Sequence, residues 1–213
     1  MNAAARTHMA RRRIYLASAS PRRLDLLRGI GLTPEVRPST VGERLRPSEP
    51  PAELVQRLAE AKARAAVAAE NHLDPDGLVL GADTTVVIGD RVLGKPADDA
   101  EARAMLRTLR GRSHNVLTGV FLMRLDDGRT AGGVESSRVV FRDFDDGLIE
   151  AYVASGEPRG KAGAYAIQER GVLLTERIEG SWSNVVGLPL ERLPDWIGEL
   201  GIELRELIDW SAR

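Results

Sequence analysis

The chain has 213 residues, 43% hydrophobic and 29% charged, with a formal net charge of -1 and no cysteine. That length can bury a substantial core, and no apolar run approaches the roughly 18 to 20 residues that span a membrane. A near-neutral balance provides no global field toward nucleic acid, so any bound anion must be held by local cations. The absence of cysteine excludes disulfides, a thiolate nucleophile and Cys-ligated zinc.

Residues 1–13 are basic and lack an apolar stretch before a cleavage site, so they read as a solvated arm, with Met9 an alternative start, ahead of a domain over 14–213. A cytoplasmic protein is expected. Ile14 to Ala17 predicts a strand, Ser20 an N-cap and Pro21 the first turn of a helix with Leu24, Leu27 and Ile30 inward. Residues 34–50 read as a strand end and a long polar loop. The spacing Leu54, Leu58, Ala61, Ala65 predicts a helix over Pro51 to Glu70, and Gly77 to Ile88 a buried strand. Gly89-Asp90 predicts a hairpin into Arg91 to Leu93, followed by a helix over Asp98 to Leu109. Strands are expected over His114 to Leu125, Thr130 to Phe141 and Val172 to Ile178, with helices over Asp145 to Ala154 and Leu190 to Leu200. Because the pair at 114–141 has no helix between its strands, the fold expected is α/β (α+β), a mixed twisted sheet with flanking helices and a cleft.

Three constellations carry chemistry. Ser18-Ala19-Ser20-Pro21-Arg22-Arg23 gathers hydroxyls and guanidinium groups at a helix N-terminus, a setting that favours anions. A capped helix with solvent-facing arginines is the plainer alternative. Asp83 lies within an apolar strand, where an ionised carboxylate must be paired or bound to metal, and Lys95 follows in Gly94-Lys95-Pro96. This places Asp83 at a strand end facing the cleft, or in a structural salt bridge to Lys95. Glu43 could add a carboxylate for Mg²⁺, and Lys62 lies on or near the inner edge of the long helix, where lysines also snorkel. Glu157 to Gln168 is a loop rich in small residues, with Lys161, Tyr165 and Gln168 available to a ligand. No Walker A or GxGxxG loop is present, and His8, His72 and His114 do not form a clustered zinc pattern.

The segments LASASPRR, LGADTTVVIGDRVLGKP, GRSHNVLTGV, GEPRGKAGAYAIQ and IEGSWSNVVGLPL, in this order between about Tyr15 and Leu200, resemble the Maf nucleotide pyrophosphatases. The resemblance implies two lobes around a central cleft, similar to inosine triphosphate pyrophosphatases, and hydrolysis of a nucleoside triphosphate to monophosphate and pyrophosphate. It implies phosphate binding by Ser18, Ser20, Arg22 and Arg23, and a metal and catalytic cluster of Glu43, Lys62, Asp83 and Lys95. Mg²⁺ or Mn²⁺ would sit on Glu43 and Asp83, with Asp83 the general base; Lys161 would also contact substrate. Arg22, Thr84 and Gln168 match the branch acting on dTTP and UTP rather than 7-methyl-GTP, although the usual Gly after the matching Gln is Glu169 here. A homodimer is expected by analogy, with no nucleic acid or membrane partner. A nucleotide-binding regulator of cell division without turnover, and a pyrophosphatase for ITP, are the competing readings.

Overall fold

The computed structural model describes residues 12–43, 45–70, 72–208 and 210. The basic arm expected over 1–13 and the start at Met9 lie outside these residues, apart from Arg12 and Arg13. Those two are tied to the fold, Arg12 facing Asp126 at 3.7 Å and Arg13 pairing with Glu35 at 3.0 Å.

β1 (Ile14–Leu16) leads into α1 (Pro21–Gly29), where proline occupies the first turn, whose amide has no helical partner to lose. After β2 (Glu35–Val36), irregular chain runs to the alanine-rich α2 (Pro51–Ala68). β3 (Leu78–Ile88) turns through Gly89 and Asp90 into β4 (Arg91–Leu93). α3 (Asp99–Leu109) begins at Asp98, whose carboxylate accepts the Glu101 N–H at 2.8 Å and caps it. β5 (Ser113–Arg124), β6 (Thr130–Phe141), α4 (Asp146–Ala154), β7 (Thr175–Glu179), α5 (Trp182–Val186) and α6 (Leu193–Glu199) complete the order.

Three expectations shift. The strand expected from Val172 starts at Thr175, because Arg170–Leu174 forms a 3₁₀ turn. The closing helix expected from Leu190 begins as a 3₁₀ turn at Leu190–Arg192 and restarts as α6 around Pro194, whose ring suits a first turn and not an interior. α5 was not expected at all: it is five residues long and ends in two valines, too short for a helical period to register.

The seven strands form one mixed sheet in the order β2-β1-β3-β5-β6-β7, with β4 paired to β3. β2, β1 and β3 run parallel; every other pairing is antiparallel. Alternation along the strands sorts residues to two faces. Ile14, Leu16, Leu78, Leu80 and Leu122 pack with Leu27, Trp196 and Ile197 on one face. Tyr15, Val79 and Phe121 pack with Ala59, Ala63 and Ala66 of α2 on the other. The far halves of β3 and β5 belong to another core, in which Val86, Ile88 and Val116 meet Leu106, Phe141 and Ile149. The two long strands therefore carry both lobes.

Glycine sets how closely α2 approaches the sheet. A Cβ on Gly81 would lie 2.2 Å from the Ala59 carbonyl oxygen, and one on Gly119 2.4 Å from that of Val55. Both distances are far inside van der Waals contact, so no side chain fits without moving the helix. Gly81→Ala or Gly119→Ala is expected to lower the unfolding free energy by about 1–3 kcal/mol, the usual range for overpacking. Urea denaturation checks this, and an unchanged midpoint would mean that α2 can shift freely. Among the described residues no helix is long and apolar enough to cross a membrane.

Candidate active site

The pairing of β1 with β3 ends at Leu80, and β4 joins β3 only at Val86. Between these points residues 81–85 have a strand partner only in β5, leaving the other edge open. A cleft of about 340 Å³ lies along this edge, a size that accepts a small molecule. Ser18, Ser20, Arg22, Arg23, Glu43, Lys62, Asp83, Thr84, Lys95, Lys161 and Gln168 all line it. Asp83 is therefore not at a strand end, as expected, but at the centre of β3; it reaches the cleft because its neighbours on one side stop short.

The buried carboxylate is paired, but with a different lysine than Lys95. Lys62 Nζ on α2 donates to Asp83 Oδ1 and to Glu43 Oε1, each at 2.6 Å, and Lys95 Nζ donates to Glu43 Oε2 at 2.6 Å. Charges alternate along this chain, and Asp83 and Lys62 are only 7% and 8% exposed. Burial pushes the Asp83 carboxyl above its ordinary value, opposed chiefly by the Lys62 ammonium. Partial burial pushes Glu43 upward too, but the two ammonium groups bonding it outweigh this and bring it down to about 2. The two carboxylates are thus driven apart: Glu43 stays charged, while Asp83 is raised toward proton exchange. The loop carrying Glu43 is fastened to α2 by Glu49, whose carboxylate receives Arg57 Nε at 2.5 Å and Nη2 at 2.7 Å.

The arginine pair divides its work. Arg23 is 8% exposed and donates to Ser18 Oγ at 2.8 Å, the Gly187 carbonyl at 2.8 Å and Thr84 Oγ1 at 2.9 Å. It thereby ties α1, β3 and the turn after α5 together at the cleft wall. Thr84 Oγ1 also lies 2.9 Å from Thr118 Oγ1, which donates to the Asn184 carbonyl at 3.1 Å. Arg22, by contrast, has no hydrogen bond or ion pair among the described residues, although burial lowers its pKa against the field of Glu169. A half-buried cation without a partner is poised for an anion. Ser20 occupies the N-cap position but makes no side-chain cap bond, so the α1 amides stay unblocked, and Ser18 Oγ instead accepts the Ser20 N–H at 3.3 Å. Lys161 Nζ donates to the Glu157 carbonyl at 2.5 Å. In all, five cationic side chains and two carboxylates line a cleft in a protein of net charge -1, so a polyanion is favoured here locally.

The sequence model of the family described as Maf-like protein matches residues 13–200. The chain belongs to the Maf family. It is 49% identical over 188 residues to a dTTP/UTP pyrophosphatase of Pelotomaculum thermopropionicum, covering 88% of this chain and 96% of that protein. A dTTP/UTP pyrophosphatase of Syntrophus aciditrophicus is 46% identical over 193 residues, 91% of this chain and 92% of its own. Another, from Dictyoglomus thermophilum, is 42% identical over 199 residues, with coverages of 91% and 99%.

In this Maf chain several residues that support the site could not be singled out from sequence. Thr118, Asn184 and Gly187 hold Arg23 and Thr84 from motifs that read only as strand and loop, and Glu49 is one acid among many in a polar stretch. Lys62→Met leaves two convergent carboxylates without their cation. Asp83 then has a folded-state pKa raised still further above its unfolded one, so the cost to stability builds as pH rises from the unfolded value to the folded one and vanishes below the unfolded value. Urea denaturation is expected to show a loss of about 3 kcal/mol above neutrality, the usual cost of a widowed buried charge, shrinking as the pH is lowered. An equal loss at every pH would contradict the pairing.

Proposed function

We propose that this chain hydrolyses nucleoside triphosphates to nucleoside monophosphate and pyrophosphate, with dTTP and UTP its preferred substrates, as a house-cleaning enzyme of the cytoplasmic nucleotide pool. The observation that carries this is the alternating Lys95–Glu43–Lys62–Asp83 chain at the open edge of β3, next to Arg22, which has no partner among the described residues. The names of the relatives support the base assignment.

The chemical problem is a water attacking a phosphorus surrounded by negative oxygens, which calls for charge neutralisation and an oriented base. Asp83 Oδ1 is fixed by Lys62, leaving Oδ2 to accept the proton of the attacking water. Burial, which raises its pKa, makes it a stronger base than an ordinary carboxylate. Arg22, the α1 amides and Lys95 meet the triphosphate and the charge that builds on the departing pyrophosphate. Arg23, bonded on three sides, holds this wall in place and has two further N–H donors for phosphate. A nucleotide-binding regulator without turnover would have no use for a carboxylate that repels phosphate.

A divalent cation fits the donors present. Glu43 and Asp83 converge on a single cationic centre, Lys62 Nζ, at 2.6 Å each, and both offer the hard oxygen that Mg²⁺ or Mn²⁺ takes. Among the described residues no third His, Cys, Asp or Glu joins them, so phosphate oxygens and water would complete the shell. When bound, the cation supplies charge neutralisation at phosphate and lowers the pKa of a nearby water.

The test is pyrophosphate release from dTTP, UTP, CTP, 7-methyl-GTP and ITP with Mg²⁺ or Mn²⁺. Turnover of dTTP and UTP is expected, falling at least about 10³-fold in Asp83→Asn and lost when a chelator removes the metal. Preference for another base would overturn the substrate assignment; no turnover of any nucleotide would overturn the enzyme reading.

A further inference from the structure

Two buried polar side chains take no part in the chemistry above. Glu157 is 6% exposed and Tyr152, on α4, 4% exposed. The Tyr152 hydroxyl donates to Glu157 Oε1 at 2.9 Å and accepts the Ala166 N–H at 3.1 Å. Glu157 Oε1 also accepts the Gly171 N–H at 2.9 Å, and Oε2 accepts the Arg170 N–H at 3.1 Å. The pair thus grips the segment 166–171 at both ends. Gly171 closes it: a Cβ there would lie 2.2 Å from the Ala166 carbonyl oxygen.

Between the gripped ends, Ile167 and Gln168 form a turn that lines the cleft. None of the hydrogen bonds among the described residues engages the backbone N–H or C=O of either. The turn therefore has a base fixed by bonds to a carboxylate, the stronger kind, and an apex with free donors and acceptors. Such an arrangement is preorganised for a ligand that itself presents alternating donors and acceptors, since little ordering remains to be done on binding. A uracil or thymine ring has that pattern, an N–H between two carbonyls.

We propose that Glu157, acting through Tyr152 and the 170–171 amides, is the positioning residue for base recognition, holding the Ile167–Gln168 turn so that its backbone edge and the Gln168 amide read the pyrimidine. The inference rests on the nucleotide reading of the cleft. It separates the base from the phosphates, which meet other residues.

Glu157→Gln keeps the size but turns an N–H toward amides that now donate to a carboxylate; Tyr152→Phe removes one oxygen and keeps the ring in the core, and supplies the reading should the first variant fail to fold. Calorimetric affinities for dTMP and for inorganic pyrophosphate are compared with the native chain. The expected result is dTMP binding weakened about tenfold, the effect of one or two lost hydrogen bonds, with pyrophosphate binding unchanged within about twofold and selectivity for dTTP over purine triphosphates narrowed. Unchanged dTMP affinity, or equal weakening of both ligands, would overturn the assignment. Because binding needs no turnover, a native chain that binds dTMP through this turn without hydrolysing dTTP would sink the enzyme reading and leave this one standing.

Discussion

A carboxylate at the centre of an apolar strand must be compensated, and here the compensation is a single ammonium, Lys62, shared with Glu43. Much else in the fold serves that contact. Lys62 reaches Asp83 because α2 lies almost on the sheet, which the bare Cα atoms of Gly81 and Gly119 permit. Glu43 arrives from an irregular loop fastened by the Glu49–Arg57 pair. Asp83 reaches the cleft because β1 stops short of it and β4 starts beyond it.

On the opposite face of the same strand, Thr84 anchors another polar network. Arg23 is surrounded by Ser18, Thr84 and the Gly187 carbonyl, and Thr118 relays the contact to Asn184. Burying a guanidinium is costly unless its donors are met, and three of them are. One consequence is that the cleft wall is tied together on several sides, while Arg22 beside it has no hydrogen bond or ion pair among the described residues. Stability and function are in tension here: the cations gathered along the cleft repel one another at a cost in free energy that a polyanionic substrate recovers.

Most of the architecture was legible because periodicity and turn chemistry agree along the chain. α3, α4 and the β3–β4, β5–β6 pairs fall within a residue or so of expectation, each with a cap or a glycine turn to mark it. Asp83 announced itself as a charge in an apolar run. Its partner did not: spacing along α2 cannot tell a lysine that reaches inward from one that snorkels, and Lys95 looked as good. The Arg23–Gly187 bond joins residues 164 apart, a pairing that no local signal carries. Glu157 read as part of a small-residue loop, since its burial depends on α4 and the 170–171 amides arriving together. α5 and the late start of β7 escaped for a related reason, because tertiary hydrogen bonds rather than propensity decide where those segments turn.

One environment drives two neighbouring carboxyls in opposite directions, Glu43 down and Asp83 up. Carbon-13 NMR of the side-chain carboxyls, followed through an acid titration of the metal-free protein, measures this directly. Glu43 is expected to titrate at about 2, below its ordinary 4.5, and Asp83 above its ordinary 3.8. Both groups titrating together in the ordinary range, or Asp83 falling below Glu43, would contradict it.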